Sequence, residues 1–423
     1  MRRGGRRRLI IFLVVAAIVA ALTASFIWNR PLPLREWIAP TPTVAPTATP
    51  APVPAATPSP TVRAEVTPTA APAKPLVFED VDFSAVSRYS SALELRDAIS
   101  AARAEFAPQM AVRLAPALGL EDFIAVLRLF DGSFNYTYGT LPPDGELCAL
   151  IDLSYTPGAR IARAYASGQT EGLSDKEKIV YAQAAAIISD PAFVAANIYY
   201  KERIIHDALS DRCTYWHIEN ARDEELEYQT AVGLFLNGRG NCMSYADSFT
   251  MLTRMAGFET HTVFGEAMDA EGRWESHAWN IIKLGGVWYA VDVTYDDLDS
   301  PPFTSSYIYM NIDKSTLSYT HRWPDGALFE PLAEVLDGAY AYNGCYPDLL
   351  RAQNPQEFQD ILSGGILSDP NASSGAIGIF CDGFTISAAQ VNEWMTRLRL
   401  PRAWMSIEQR VGEHQYWTFQ VNE

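Results

Sequence analysis

The sequence is short of basic residues and of cysteine, and two stretches near its start have little or no charge. Its 423 residues carry 33 Lys and Arg against 50 Asp and Glu, a formal net charge of −17. That deficit argues against a nucleic-acid binder, which normally shows a basic footprint. The five cysteines (Cys148, Cys213, Cys242, Cys345 and Cys381) are an odd number. If one stays free for chemistry, the other four allow three pairings, or all five are buried thiols. No Cys/His spacing fits a zinc site, and no cofactor is called for. Apolar residues are not lacking: at 48% of the chain they exclude a wholly disordered protein. The length allows two or three domains.

The first uncharged stretch is Leu9 to Trp28. Twenty residues at about 1.5 Å rise each match the ~30 Å hydrocarbon core of a bilayer. Arg2, Arg3, Arg6, Arg7 and Arg8 precede it, so the rest of the chain carries −22. By the positive-inside rule this 1–8 tail is cytoplasmic, 9–28 is a transmembrane helix, and the residues after Trp28 lie outside. The rival reading is a cleaved signal peptide, with the same location for the folded part. The second stretch, within 29–75, repeats Pro, Thr and Ala and holds 13 of the 27 prolines between Pro31 and Pro75. It cannot bury enough apolar surface to fold, and proline biases it to an extended spacer.

The remainder divides into 76–190, an N-terminal α/β region, 191–345, the part with the chemistry, and 346–423, a small C-terminal α/β domain. In the first, Leu93 to Leu118 and Leu120 to Phe130 read as helices separated by Gly119. Phe134 to Tyr138 and Leu147 to Tyr155 read as strands, and Ser174 with Glu177 as a capping box. In the last, Asn354, Pro355 and Glu357 open a helix that Gly364-Gly365 closes. Ala376 to Cys381 is a strand. Ser387 with Gln390 opens a second helix, and Ala403 to Val421 is a hairpin around Gly412. A helix–strand–helix–strand rhythm on both flanks raises a duplicated module as one reading; such patterns also recur without common origin.

In the middle, Tyr199 to Leu209 and Ala231 to Leu236 are helical. The glycine-rich run Asn237 to Cys242 leads straight into a helix over Met243 to Met255, stopped by Gly257. Cys242 thus sits at a helix N-terminus, where free N–H groups and the macrodipole favour a thiolate and could bind an oxyanion. Ser276 to Ile282 reads as a strand, Gly285-Gly286 as a two-residue turn, and Val287 to Thr294 as the returning strand. Pairing Leu284 with Val287 places Trp279 opposite Asp292, so His277 and Asp292 share a sheet face as diagonal neighbours. A thiol, an imidazole and a carboxylate so placed are the parts of a nucleophile–base–orienter triad.

Gly-Asn-Cys-Met-Ser-Tyr-Ala at 240–246, His-Ala-Trp-Asn at 277–280 and Trp-Tyr-Ala-Val-Asp-Val-Thr-Tyr-Asp-Asp at 288–297 resemble the bacterial transglutaminase-like superfamily. This papain-like branch includes transglutaminases and kyphoscoliosis-peptidase-like proteins. The resemblance covers about 195–325. It implies an α+β fold in which a Cys-bearing helix packs on an antiparallel sheet carrying the His and the Asp. Cys242 is then the nucleophile, His277 the general base and acid, and Asp292 the orienter. Tyr215 is the resemblance-based oxyanion candidate beside the Cys242 N–H. Met243 and Tyr295 depart from the family's usual residues and are expected not to touch the triad. His206 and Asp207 read as helix-surface or packing residues, and His321 as a packing or loop residue.

The implied function is an extracytoplasmic, membrane-anchored thiol enzyme acting on amide bonds, a peptidase or amidase or else a transglutaminase. Its substrate would be a peptide or protein, such as cell-wall peptide or a surface protein. The contrasting expectation is a catalytically idle, surface-tethered binding or scaffold protein.

Overall fold

The computed structural model describes residues 75–423 apart from 131–133, 143–144, 218–222, 301–302, 324–349, 369–376, 399–403, 413 and 422–423. The basic tail, the apolar run and nearly all of the Pro/Thr/Ala segment lie outside the described residues, as does Cys345. Among the described residues no helix is long and apolar enough to cross a membrane.

The chain first forms β1 (Arg88–Tyr89), α1 (Ala92–Ala104), β2 (Gln109–Leu114), α2 (Leu120–Leu127), β3 (Phe134–Leu141) and β4 (Glu146–Leu153). The sheet order is β1-β2-β4-β3, with β1 parallel to β2 and the other pairs antiparallel. Leu95 and Ile99 of α1, with Phe123 and Val126 of α2, pack on Val112, Leu114, Ala149 and Ile151. The expected helix over Leu93 to Leu118 is corrected here. Phe106 takes a left-handed φ of 55° and Pro108 comes two residues later, so the helix cannot continue. Gln109–Leu114 pairs with both neighbouring strands instead.

Next come α3 (Pro157–Ser167), α4 (Asp175–Ile188), α5 (Pro191–Ala195), α6 (Ile198–Ser210), β5 (Thr214–Tyr215), α7 (Ala231–Asn237), β6 (Arg239–Gly240) and α8 (Cys242–Met255). The antiparallel part is then built from β7 (Thr260–Met268), β8 (Trp274–Leu284), β9 (Val287–Val291), α9 (Val293–Asp296), β10 (Asp297–Ser300), β11 (Phe303–Ser305), β12 (Met310–Ile312), α10 (Lys314–Leu317) and β13 (His321–Arg322). Five strands form one sheet in the order β12-β9-β8-β7-β13. The Gly285-Gly286 turn has both φ values positive, 58° and 88°, as a type I′ turn requires. Leu284 pairs with Val287, the register read from the sequence. The returning strand is shorter than expected, however. It ends at Val291, and Asp292 caps α9 rather than continuing the ladder.

The last part repeats the first. It runs β14 (Leu350–Ala352), α11 (Pro355–Ser368), β15 (Ile377–Cys381), α12 (Ala388–Leu398), β16 (Trp404–Val411) and β17 (His414–Val421). The order β14-β15-β17-β16 has the same parallel and antiparallel pairs as the N-terminal sheet. Even the first caps correspond. The Ser90 N–H donates to Glu94 at 2.6 Å and the Gln353 N–H to Glu357 at 2.8 Å. The Glu94 N–H donates to Ser91 and the Glu357 N–H to Asn354. The two flanks are thus one topology used twice. One detail differs from expectation: α11 runs through Gly364-Gly365 to Ser368.

The central sheet is covered on both faces. On one, Tyr245, Phe249 and Leu252 of α8 pack with residues of α3 and α4 (Ile161, Val180) against Ile282 and Val291. By packing, then, the segment 157–188 belongs with the α8 core. On the other face, Trp279, Ile281 and Trp288 meet Phe380, Val411 and Tyr416 of the C-terminal sheet. Asn280 locks β8 to α8, donating to the Ala246 carbonyl at 3.1 Å and to Thr250 at 2.9 Å.

Asp247 is the polar pin of the helical layer. Its buried carboxylate accepts from the Gly158 N–H at 3.1 Å and the Ala231 N–H at 2.9 Å, joining α3 and α7 to α8. Replacing it leaves two buried donors unpaired. Asp247→Ala should therefore lower the unfolding free energy by about 3 kcal/mol in urea titration; a loss below about 0.5 kcal/mol would mean those N–H groups find other partners.

Candidate active site

The loop before α8 leaves little room for side chains. A Cβ on Gly240 would stand 1.8 Å from the Ser244 hydroxyl oxygen, so only glycine fits one residue before the cap. Asn241 then caps the helix, its side-chain oxygen accepting from the Met243 N–H at 3.2 Å. Cys242 is the first helical residue, and its own N–H is among those without an intrahelical acceptor. The thiol is buried and packs against Ala246 and Ala278.

His277 on β8 and Asp292 after β9 come together as the register predicts. Nε2 of the buried imidazole lies 2.7 Å from Asp292 Oδ2. The Cys242 thiol is close enough to act on the ring's electrostatics, and with Nε2 engaged by Asp292 the nitrogen left for it is Nδ1. Burial works to lower the His277 pKa, but the charge and hydrogen bond of Asp292, with the hydrogen bond to Cys242, push it up to about 10. Asp292 is almost wholly buried, which works to raise its pKa. His277 and then His321 outweigh this and hold it well below the usual carboxylate range. Its second oxygen, Oδ1, accepts from the Thr294 N–H at 3.0 Å and the Tyr295 N–H at 3.2 Å.

Tyr215, the oxyanion candidate, lies on the strand next to the loop that leads to Cys242. Residue for residue it pairs with Gly240 across the short parallel ladder β5–β6. Partial burial, then the charges of Cys242, Asp292 and Glu275, push its phenol up to about 12, so it is a neutral O–H donor at physiological pH.

Three sequence readings need correction. Tyr295 does touch the triad: besides its N–H bond to Asp292, its ring centroid is 4.8 Å from that of His277. His321 is no bystander, since its Nε2 lies 3.0 Å from the same Asp292 oxygen that takes His277. His206 is not a surface residue but fully buried, with Nδ1 3.0 Å from Asp207 and Nε2 3.2 Å from Asp296. His321 and Asp296 were missed because their partners are 29 and 90 positions away. Only the family resemblance could have pointed to the segment Tyr307 to His321.

His277, Asp292 and His321 also bring three potential metal-ligand atoms within 4.8 Å of one another. The carboxylate oxygen already accepts both Nε2 donors, and these hydrogen bonds account for the cluster without a cation. Cys148, Cys242 and Cys381 are free thiols.

A Cys-bearing helix packed on an antiparallel sheet that supplies His and Asp is the architecture of papain-like thiol enzymes. Residues 163–293 match the model of the transglutaminase-like superfamily, so the chain carries a transglutaminase-like domain running from α3 to the start of α9. The matched segment contains Cys242, His277 and Asp292. Solved structures resemble parts of the chain. One is a protein classed provisionally as a cysteine protease from Cytophaga hutchinsonii, 13% identical over 39% of this chain and 65% of that one, with a TM-score of 0.23. Another is a TGase, 12% identical over 44% and 51%, at 0.24. A third is the periplasmic domain of TgpA from Pseudomonas aeruginosa, 15% identical over 38% and 62%, at 0.22. This chain spans less than two-thirds of the length of each. No curated protein matches it significantly.

The His206 site gives a prediction of its own. Both ring nitrogens face carboxylates, which an imidazolium satisfies when both are ionised, although burial raises the Asp296 pKa. Burial works to lower the pKa, but Asp207 and Asp296 push it up to about 10. A histidine pKa raised from about 6.5 in the unfolded chain contributes stability that is full below that pH. The contribution is lost as the pH rises through about 10. At about pH 6, His206→Gln should be less stable than wild type by about 3–5 kcal/mol in urea, and the gap should narrow toward pH 10. A gap that does not change with pH would show that His206 is not a buried cation.

Proposed function

We propose that the chain is a thiol enzyme that opens amide bonds of peptide or protein substrates through Cys242, His277 and Asp292. The observation that carries this reading is the short Asp292–His277 hydrogen bond in a centre that also feels the Cys242 thiol at a helix N-terminus. Asp292 favours the protonated ring, so His277 draws the Cys242 proton as the sulfur attacks. The sulfur adds to the amide carbonyl. Its π electrons move to oxygen, and the oxyanion meets the helix N–H groups and the Tyr215 hydroxyl. The intermediate collapses as His277 gives its proton to the leaving amine, and a thioester remains on Cys242. Water then adds to the thioester, passing one proton to His277. The acid leaves, and the Cys242–His277 pair is restored.

A lysine amine in place of water would make the same thioester a transamidation intermediate. Hydrolysis is the preferred outcome, since water is always present. The uncharged run at 9–28 and its arginine flank support a tethered, outward-facing enzyme. Such an enzyme would meet cell-wall peptide or surface proteins.

Iodoacetamide should label Cys242 readily at about pH 7, whereas His277→Ala should slow labelling at least tenfold. Equal rates for the two proteins would sink the proposed pairing. On a glutamine-bearing peptide, Cys242→Ala should lower turnover by about 10⁴-fold or more, and Asp292→Asn by about 10²–10⁴-fold. With a labelled amine present, ammonia or peptide release without amine incorporation is expected; predominant incorporation would make the enzyme a transglutaminase.

A further inference from the structure

His321 stands 44 residues beyond His277 in sequence and is buried against it. Its Nε2 lies 3.0 Å from Asp292 Oδ2, the atom that also receives His277 at 2.7 Å. An ionised carboxylate only accepts, so both Nε2 atoms carry hydrogen. The other His321 nitrogen, Nδ1, is 2.9 Å from the Thr320 hydroxyl, which fixes the tautomer by donating to it. The ring is wedged edge-on against Trp279, with centroids 4.9 Å apart, and lies 5.5 Å from His277. Tyr295 and Tyr309 close the remaining sides at 5.2 and 5.6 Å.

We infer that His321 is a positioning residue of the reacting centre: a neutral second donor that fixes the Asp292 carboxylate and limits how strongly it holds the His277 proton. The inference deepens the reading of Cys242, His277 and Asp292 given above and rests on it. A carboxylate oxygen that divides itself between two donors is a weaker acceptor for each. His277 must release its proton to the leaving amine, so an Asp292 that held it harder would slow that step. Burial keeps His321 below the ordinary histidine range and therefore uncharged, so it tempers Asp292 without adding a competing cation. The titratable groups facing Asp292 are His277 on β8, His321 on β13, Tyr295 on α9 and Tyr309 before β12. Tyr215 and Cys242 interact with the same groups electrostatically.

The test is the titration of His277 in the full chain, followed by NMR with labelled histidine, which requires no turnover. His321→Phe keeps an aromatic ring against Trp279 and removes the donor; His321→Leu serves if that variant fails to fold. His321→Gln offers a side-chain N–H₂ in its place. Loss of the donor should raise the His277 midpoint by about one pH unit, and His321→Gln should restore most of it. In parallel, kcat should fall about 10-fold or more in the Phe variant, with KM little changed. A His277 midpoint that stays put or falls in both the Phe and Leu variants, or one that His321→Gln leaves as high as the Phe variant, overturns the inference. If wild type turns over no amide while the midpoint moves as stated, the proposed activity fails and the positioning role stands.

Discussion

The site depends on one buried carboxylate. Asp292 leaves the sheet at the point where β9 ends, and its two oxygens do different jobs. Oδ1 takes the Thr294 and Tyr295 N–H groups and so starts α9. Oδ2 takes His277 and His321. A buried negative charge would be costly without such partners, and four donors offset that cost. The same arrangement engages Nε2 of His277 and leaves Nδ1 for the thiol. Ending β9 at Val291 rather than Thr294 therefore serves the site, because an Asp292 still paired with β8 would not cap the following turn.

The surrounding layers hold these groups from both sides. Under the sheet, Asn280 ties β8 to α8, and so ties His277 to the helix that presents Cys242. Over it, the C-terminal module reaches the chemistry at one remove. The Gln409 side chain donates to the Tyr295 carbonyl at 3.2 Å, and Tyr295 in turn covers His277. Val411 and Tyr416 of the same hairpin share the core that contains Trp279. The N-terminal module has the same topology but its own core, and hands the chain directly into α3. The two flanks of like topology thus differ in their relation to the domain between them.

What was legible in the sequence was local. The glycine-rich run before Cys242, the helix after it and the Gly285-Gly286 turn each depend on residues within a few positions, and the hairpin register fixes which face His277 and Asp292 share. What was not legible came from distant partners or from competition between local signals. His206 has the look of an ordinary helix residue until Asp296 arrives 90 positions later. The apolar run Gln109–Leu114 suits a strand or a helix by composition; pairing with β1 and β4 decides it. Gly364-Gly365 reads as a stop, yet α11 continues past it, as propensity is a weak prior against tertiary context. The repeated flank topology was suggested only as a rhythm, because strand order within a sheet is not written in either segment alone.

The central claim is that Cys242 carries an acyl group during turnover. Acid quenching of wild-type protein mixed with a peptide amide substrate, then mass spectrometry of its digest, measures this directly. The account predicts an acyl adduct on the peptide containing Cys242, removable by hydroxylamine and absent from His277→Ala. Turnover with no adduct on Cys242 under conditions that preserve thioesters, or an adduct on another residue, would contradict it.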